Sequence, residues 1–468
     1  MRAKIELKWK QRQNHQRVLK ARLEQLGQTE LWQTISSKSY QVLKEELQTG
    51  KLKAVDALRA YQWQAIQSNQ TRNNVVWFIE DAEELAAKLD ATPEQDRGPM
   101  HGIPISVKEC YFVKNCDATG GMCQYAHLPV TEDALAVQLM KSFGAIPYVL
   151  TNVPQSMFSL QCSNPLYGVT GNALDPQREA GGSSGGEGSL IGSGGSILGL
   201  GSDVGGSLRN PAVFNGIYSL KPTHGRHLSQ CGVRNPVEYE TIGISCVGGF
   251  MSSSAKAVQD AYKILYENID KSALKDQSIA PVHWRPALNQ TRMLKIGYFM
   301  TDGKFQSHPG CTRAVKETVA KLKKMGHEVI EFHGPDSERV SDLYLGLMFQ
   351  DRFKRAYGAL SKDVFIDSAV DGVWISAWIM KCPDWIRQWI INPLASLLTS
   401  DLPPDPIEDG TTIPPALAEM DTILKEYMNE WDEFNLDLVL TAASYMPPPL
   451  KEIIGNVQLF CTLDGAFH

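Results

Sequence analysis

The sequence predicts an α/β fold preceded by a helical region, and three observations carry that prediction. Residues 1–95 contain long stretches without glycine or proline, with apolar residues at helical spacing. From Gly98 onward, short apolar runs alternate with amphipathic stretches, which is the pattern of an α/β fold. The composition, 43% hydrophobic and 21% charged over 468 residues, is that of a folded globular protein and excludes a disordered or disulfide-stapled chain.

The individual elements follow from local patterns. In the N-terminal region, Val42, Leu43 and Leu47 lie at helical spacing. Short runs rich in β-branched residues predict strands over 103–107, 146–150 and 329–332. Amphipathic periodicity predicts helices over 133–142, 255–268 and 310–326. We therefore assign residues 1–95 to a helical region and residues 96–468 to one α/β body.

Charge and cysteine usage limit the class of protein. The net charge of −6 has the wrong sign for a nucleic-acid-binding chain. Nine cysteines without a C-x-x-C pair favour a reduced, intracellular environment facing the cytosol. The first 22 residues carry eight basic residues and one acid, and they lack the apolar core of a signal peptide. Since the chain has no run of about 20 apolar residues, membrane contact is expected to be peripheral.

A belt rich in glycine and serine spans residues 181–207, with twelve glycines and seven serines among 27 residues. A flexible linker is one interpretation, but recurring aliphatic residues such as Leu190, Ile197 and Val204 argue against it. A phosphate-binding loop is another, but the glycine spacing is incomplete and no Gly-Lys-Ser/Thr follows. Residues 181–185 do match G-x-S-x-G. That motif needs a preceding strand, whereas residues 172–180 are polar and contain Pro176.

The belt contains two serines with unusual surroundings, Ser183 and Ser207. Gly205 and Gly206 leave backbone N–H groups unshielded just before Ser207, and converging N–H donors are what an oxyanion hole requires. A serine hydroxyl is a weak nucleophile and needs a base. Lys108, at the end of the predicted strand in HGIPISVKE, is a better candidate for that base than the histidines in the polar turn at 224–227.

Three motifs together resemble the amidase signature family: GIPISVKE with Lys108, GGSSGGEG with Ser183, and GSDVGGSLRNPA with Ser207. They occur in family order over about residues 98–250. The belt is most similar to the branch of fatty acid amide hydrolases, which have a glutamate at the position of Glu187. The resemblance implies an amidase signature fold, in which helices cover a mixed twisted sheet. It also implies a hydrolase that cleaves fatty acid amides to a free fatty acid and an amine.

The resemblance also implies roles for individual residues. Ser207 would be the acylated nucleophile, Ser183 the proton shuttle and Lys108 the base, with a cis peptide bond before Ser183. The oxyanion hole would be formed by backbone N–H groups of Val204, Gly205, Gly206 and Ser207. Met157 and Phe158 match a segment that lines the site. Asp203 and Arg209, which flank the nucleophile loop, are interpreted as a pair that fixes this loop.

A cluster of tryptophans predicts a membrane-binding cap at about residues 373–399. Its members, with basic residues nearby, are Trp374, Trp378, Trp385 and Trp389. A core-packing stripe is the alternative, but tryptophan combined with Lys381 and Arg387 is typical of an interfacial anchor. Fatty acid amide hydrolases are similar, because they carry a membrane-inserting helical cap in this region.

Two departures from the family pattern leave alternatives open. Relatives commonly have a transmembrane helix before the region that matches residue 1. Residues 437–441 resemble a strand of the family body, so the resemblance predicts a strand there, and relatives have further strands and helices after the region that matches residue 468. An inactive, truncated, membrane-associated isoform is therefore one alternative. An amidase of small amides or of misacylated tRNA is another, although the acidic charge and the tryptophans argue against tRNA. We expect no cofactor, metal or nucleic acid; the expected partners are a lipid amide and a membrane surface, and a homodimer is left open.

Overall fold

The computed structural model describes residues 1–157, 159–226, 244–270, 279–285, 292–301, 306–334, 336–348, 363 and 413–451. Its helices are α1 (Arg2–Leu26), α2 (Thr29–Ser36), α3 (Tyr40–Gln48), α4 (Ala54–Arg72), α5 (Ala82–Asp90), α6 (Leu135–Ser142), α7 (Gly185–Gly192), α8 (Arg209–Asn215), α9 (Ala255–Glu267), α10 (Pro309–Lys324), α11 (Ser337–Met348) and α12 (Ile413–Glu433). Its strands are β1 (Val75–Phe78), β2 (Pro104–Lys108), β3 (Ile146–Thr151), β4 (Ser163–Asn164), β5 (Gly168–Val169), β6 (Gly199–Asp203), β7 (Tyr218–Ser219), β8 (Val247–Ser252), β9 (Lys295–Tyr298), β10 (Glu328–Glu331) and β11 (Leu438–Leu440).

The main sheet has six strands in the order β1-β3-β2-β6-β8-β7. The central pairs β3–β2 and β2–β6 are parallel, whereas the outer pairs are antiparallel. Every residue of β2, β3, β6 and β8 is buried, which agrees with helices covering both faces of a sheet. The predicted α/β fold with a mixed sheet is therefore confirmed.

A second, parallel sheet has the order β10-β9-β11. Its strands and α10 enclose a separate small core that includes Ile296, Val315 and Val329. The strands predicted over 329–332 and 437–441 are both in this sheet. No helix among the described residues is both long enough and apolar enough to cross a membrane. The predicted cap at about residues 373–399, with its four tryptophans, lies outside the described residues.

The N-terminal region contains helices α1–α5, as its periodicity predicts, but it also contributes a strand. β1 pairs with β3 at the edge of the main sheet, so residues before position 95 complete that sheet. Trp32, Leu43 and Leu58 of this region belong to the same buried core as the central strands. The division of the chain at residue 95 stays a prediction.

Arg12 attaches α1 to the rest of the protein. Its side chain is 4% exposed and donates hydrogen bonds to the carbonyl oxygen of Val75 at the start of β1 and to Asn73 Oδ1. Burial lowers the pKa of the Arg12 guanidinium to about 10. Since buried carbonyl groups must be hydrogen-bonded, the guanidinium satisfies acceptors that would otherwise lose their partner.

We predict that Arg12→Met lowers the free energy of unfolding by about 2–4 kcal/mol, because the carbonyl of Val75 loses a charged donor inside the protein. Methionine keeps most of the side-chain volume, so the loss reports the hydrogen bonds. The control is Arg17→Met, an exposed position on the same helix whose one side-chain hydrogen bond within the described residues is to Asn14, with an expected change below about 0.5 kcal/mol. Urea unfolding of both variants tests this. Equal stability of the two would contradict the attachment by Arg12.

Candidate active site

The centre of the site is a lysine with no exposed surface at the end of β2. Lys108 is the last residue of the strand and is 0% exposed. Its Nζ atom donates to Ser183 Oγ at 2.7 Å and to Ser202 Oγ at 2.9 Å. A buried amine needs such partners, because taking it out of water without hydrogen bonds is costly. The structure therefore places Lys108 and Ser183, two residues predicted for the site, in direct contact.

Ser183 and Ser207 lie on two loops that a backbone hydrogen bond connects. The peptide bond between Gly182 and Ser183 is cis, as the family resemblance implied. Ser184, which directly follows Ser183, donates its N–H to the carbonyl oxygen of Ser207 at 3.1 Å. Ser184 Oγ also donates to the carbonyl oxygen of Ser202 at 3.2 Å. Within the described residues, no hydrogen bond joins the hydroxyls of Ser183 and Ser207, and Ser207 is partly exposed.

Asp203 holds the loop that carries Ser207. Its carboxylate accepts hydrogen bonds from the backbone N–H groups of Gly206 at 2.8 Å and Leu208 at 2.9 Å, and it pairs with the Arg209 guanidinium at 2.9 Å. Burial acts to raise the pKa of Asp203, but the hydrogen bonds and charge of Arg209 outweigh it and lower this pKa. The interpretation of Asp203 and Arg209 as a loop-fixing pair is confirmed.

The four predicted oxyanion-hole donors differ in their surroundings. The N–H of Gly206 is already donated to Asp203 Oδ1. For Val204, Gly205 and Ser207, the described part of the chain offers no acceptor to the backbone N–H. Three neighbouring N–H groups beside a partly exposed serine can stabilise a developing negative charge on a substrate oxygen.

The family model described as "Amidase" matches residues 56–457. The chain belongs to the amidase signature family. Fatty acid amide hydrolase 1 of Caenorhabditis elegans is 36% identical over 433 residues, which cover 90% of this chain and 74% of that protein. Fatty-acid amide hydrolase 1 of Sus scrofa is 33% identical over 405 residues, covering 85% and 68%.

A solved structure of a fatty acid amide hydrolase superimposes with a TM-score of 0.79 and 24% identity, over 98% of this chain and 77% of that one. The amidase signature fold, with its mixed sheet covered by helices, is thereby confirmed. The protein is an amidase that resembles fatty acid amide hydrolases, as the three sequence motifs implied.

Two further predicted residues lie in the segment before the glycine-serine belt. Met157 ends a short helical turn with a φ of 60° and packs against the main core. This segment borders the site, because a β-carbon at Gly182 would lie 2.2 Å from the carbonyl oxygen of Ser159. Phe158 lies outside the described residues, and so do the four tryptophans.

The amidase site also contains residues that the sequence analysis did not assign. Ser202 contacts Lys108 directly, and Ser184 connects the two serine loops. Glu187 is a fully buried carboxyl on which the charge of Lys108 acts. A signal was present for Glu187, because it stands in the GGSSGGEG motif that carries the family resemblance. For Ser202 no local signal existed, since six other serines share the belt.

Proposed function

We propose that this amidase hydrolyses fatty acid amides through an acyl-enzyme formed at Ser207, with Ser183 as the proton shuttle and Lys108 as the base. The observation that carries the proposal is the 2.7 Å contact between the buried Lys108 Nζ and Ser183 Oγ, on a loop joined to that of Ser207. The two relatives named as fatty acid amide hydrolases support the substrate class.

The proposed acylation moves one proton along the triad. Ser207 Oγ attacks the amide carbonyl carbon, its proton passes to Ser183, and the proton of Ser183 passes to neutral Lys108. The carbonyl π electrons move to oxygen, where the N–H groups of Val204, Gly205 and Ser207 stabilise the charge. Gly206 takes part in this hole only by sharing the N–H that it donates to Asp203.

The attack of Ser207 forms a tetrahedral intermediate, and its collapse completes the acylation. The C–N bond breaks as the Lys108 ammonium returns its proton through Ser183 to the leaving nitrogen, and the amine departs. Water then attacks the ester carbonyl and gives a proton to the same relay. The C–O bond to Ser207 breaks, its hydroxyl is restored, and the fatty acid leaves. Lys108 therefore acts as base and acid in turn.

We predict that Ser207→Ala abolishes labelling by a fluorophosphonate probe, because the probe bonds covalently only to an activated serine. Lys108→Ala is expected to slow labelling by about 100- to 10,000-fold, the usual contribution of general base catalysis. The matched control is Ser193→Ala in the same belt, whose hydroxyl bonds two backbone carbonyls and Ser68 in the described part of the chain. Undiminished labelling of the Ser207 variant would contradict the triad. Absence of labelling in the wild type would favour the inactive isoform.

We predict that oleamide is hydrolysed with a kcat/KM at least about 100-fold above that of acetamide. Each buried methylene contributes about 0.8 kcal/mol, so even a few buried carbons of the acyl chain give this ratio. Ammonia release measures both reactions, with Ser207→Ala protein as the background. An equal or larger kcat/KM for acetamide would assign the protein to amidases of small amides.

Peripheral membrane binding belongs to the same proposal, because a lipid substrate can enter from a bilayer. We predict that Trp385→Glu combined with Trp389→Glu lowers the amount of protein that sediments with liposomes by about tenfold or more. A charged group is unfavourable in the membrane interface. The control is Leu31→Glu with Val42→Glu, two 44% exposed apolar residues on α2 and α3. If the tryptophan variant binds liposomes like the wild type, the cap prediction is wrong.

A further inference from the structure

A carboxyl group that the proposed mechanism does not use lies beneath the triad. Glu187 is on α7, four residues after Ser183, and is 0% exposed. Its Oε2 atom accepts a hydrogen bond from Ser106 Oγ at 2.5 Å, and its Oε1 atom accepts one from Thr151 Oγ1 at 2.7 Å. Two hydroxyls of the sheet therefore hold the carboxyl in one orientation.

Both hydroxyls flank Lys108. Ser106 lies two residues before Lys108 on β2, and alternate residues of a strand point to the same face of the sheet. Thr151 is the register partner of Lys108 on the neighbouring strand β3. The carboxyl of Glu187 is thus held against the sheet face that carries the amine of Lys108, in a layer without exposed surface.

The charge of Lys108 acts on this carboxyl. Burial raises the pKa of Glu187 to about 7, while the hydroxyls of Ser106 and Thr151 and the charge of Lys108 act to lower it. Of the titratable groups on the described elements packed against α7, Lys108 on β2 and Tyr148 on β3 interact with Glu187. Tyr148 stays neutral, because burial and the nearby Glu187 raise its pKa well above the ordinary value.

We infer that Glu187 is a positioning residue whose ionisation sets the pH at which the Lys108–Ser183 pair can accept a proton from the nucleophile. The inference rests on the proposed function. An ionised carboxylate in a dry layer stabilises the ammonium form of Lys108, which cannot act as a base. A neutral group at the same position removes that stabilisation, so the reaction at Ser207 is expected to extend to lower pH.

Glu109 provides a matched comparison. It is equally buried, and burial raises its pKa also to about 7. It follows Lys108 directly after the end of β2. There it accepts hydrogen bonds from the N–H and hydroxyl of Thr119 and from the N–H of Gly120. Its charge neighbour is Asp117, so its neutralisation leaves the surroundings of Lys108 unchanged.

The test is the rate of fluorophosphonate labelling of the full chain between pH 5 and 10. We expect Glu187→Gln to shift the midpoint of the acidic limb about one pH unit lower, the shift typical of losing a nearby opposite charge. Glu109→Gln is expected to keep the wild-type midpoint. The acidic limb of the labelling profile reports the coupled Lys108–Ser183 pair rather than one residue. The measured quantity is therefore the shift of its midpoint between wild type and variant.

Ser106→Ala is the second variant, because it removes one donor to the carboxylate and leaves the acid in place. Glu187 then stays neutral up to a higher pH. The midpoint of the acidic limb is expected to move lower, by less than in Glu187→Gln. If Glu187→Gln fails to fold by circular dichroism, this variant decides. Wild-type midpoints in the folded variants would overturn the inference and leave the triad intact. Loss of the Ser207-dependent labelling in the wild type would overturn the proposed function instead.

Discussion

The site depends on one constraint, which is that an amine is buried at the end of a fully buried strand. Lys108 has no access to water, so its hydrogen-bond partners must come from other segments. They are Ser183, which precedes α7, and Ser202, which lies on β6. Because β2 pairs directly with β6, the partner on β6 is in place once the sheet forms. The loop of Ser183 must then pack against this sheet, and its glycines make that approach feasible.

The glycines of the belt are explained by packing rather than by flexibility or phosphate binding. A β-carbon at Gly199 would lie 2.0 Å from Glu187 Oε2, and one at Gly186 would lie 2.3 Å from the backbone nitrogen of Asn152. A β-carbon at Gly205 would lie 2.0 Å from the hydroxyl oxygen of Tyr344 on α11. A side chain at Gly186 would force two backbone segments apart, and one at Gly199 or Gly205 would displace the side chain packed against it. The belt is thus a layer in which helix, sheet and loop lie in contact.

Much of the site could be predicted from the sequence because its signals are local. Alternation in residues 103–108 predicts a strand that ends at Lys108, and the motifs identify Ser183 and Ser207. The strand β1 was not predicted, because four apolar residues between two helices carry no periodicity. The role of Arg12 was not predictable either, since its acceptor Val75 lies 63 residues away in sequence. Such contacts follow from the folded chain and not from any window of it.

Segments next to the second sheet also contact the loops of the site. The N–H of Glu179, just before the belt, donates to the carbonyl oxygen of Pro449, and Arg178 donates to Pro448 at 2.8 Å. The segment after β11 therefore holds the chain that leads into Ser183. On the other side, Tyr344 covers Gly205, and burial raises the pKa of Tyr344 to about 12, so its hydroxyl stays neutral beside Asp203. A neutral phenol avoids placing a second negative charge against N–H groups that must receive a substrate oxygen. The nucleophile loop is thus held by Asp203 from within and limited by Tyr344 of α11 from outside.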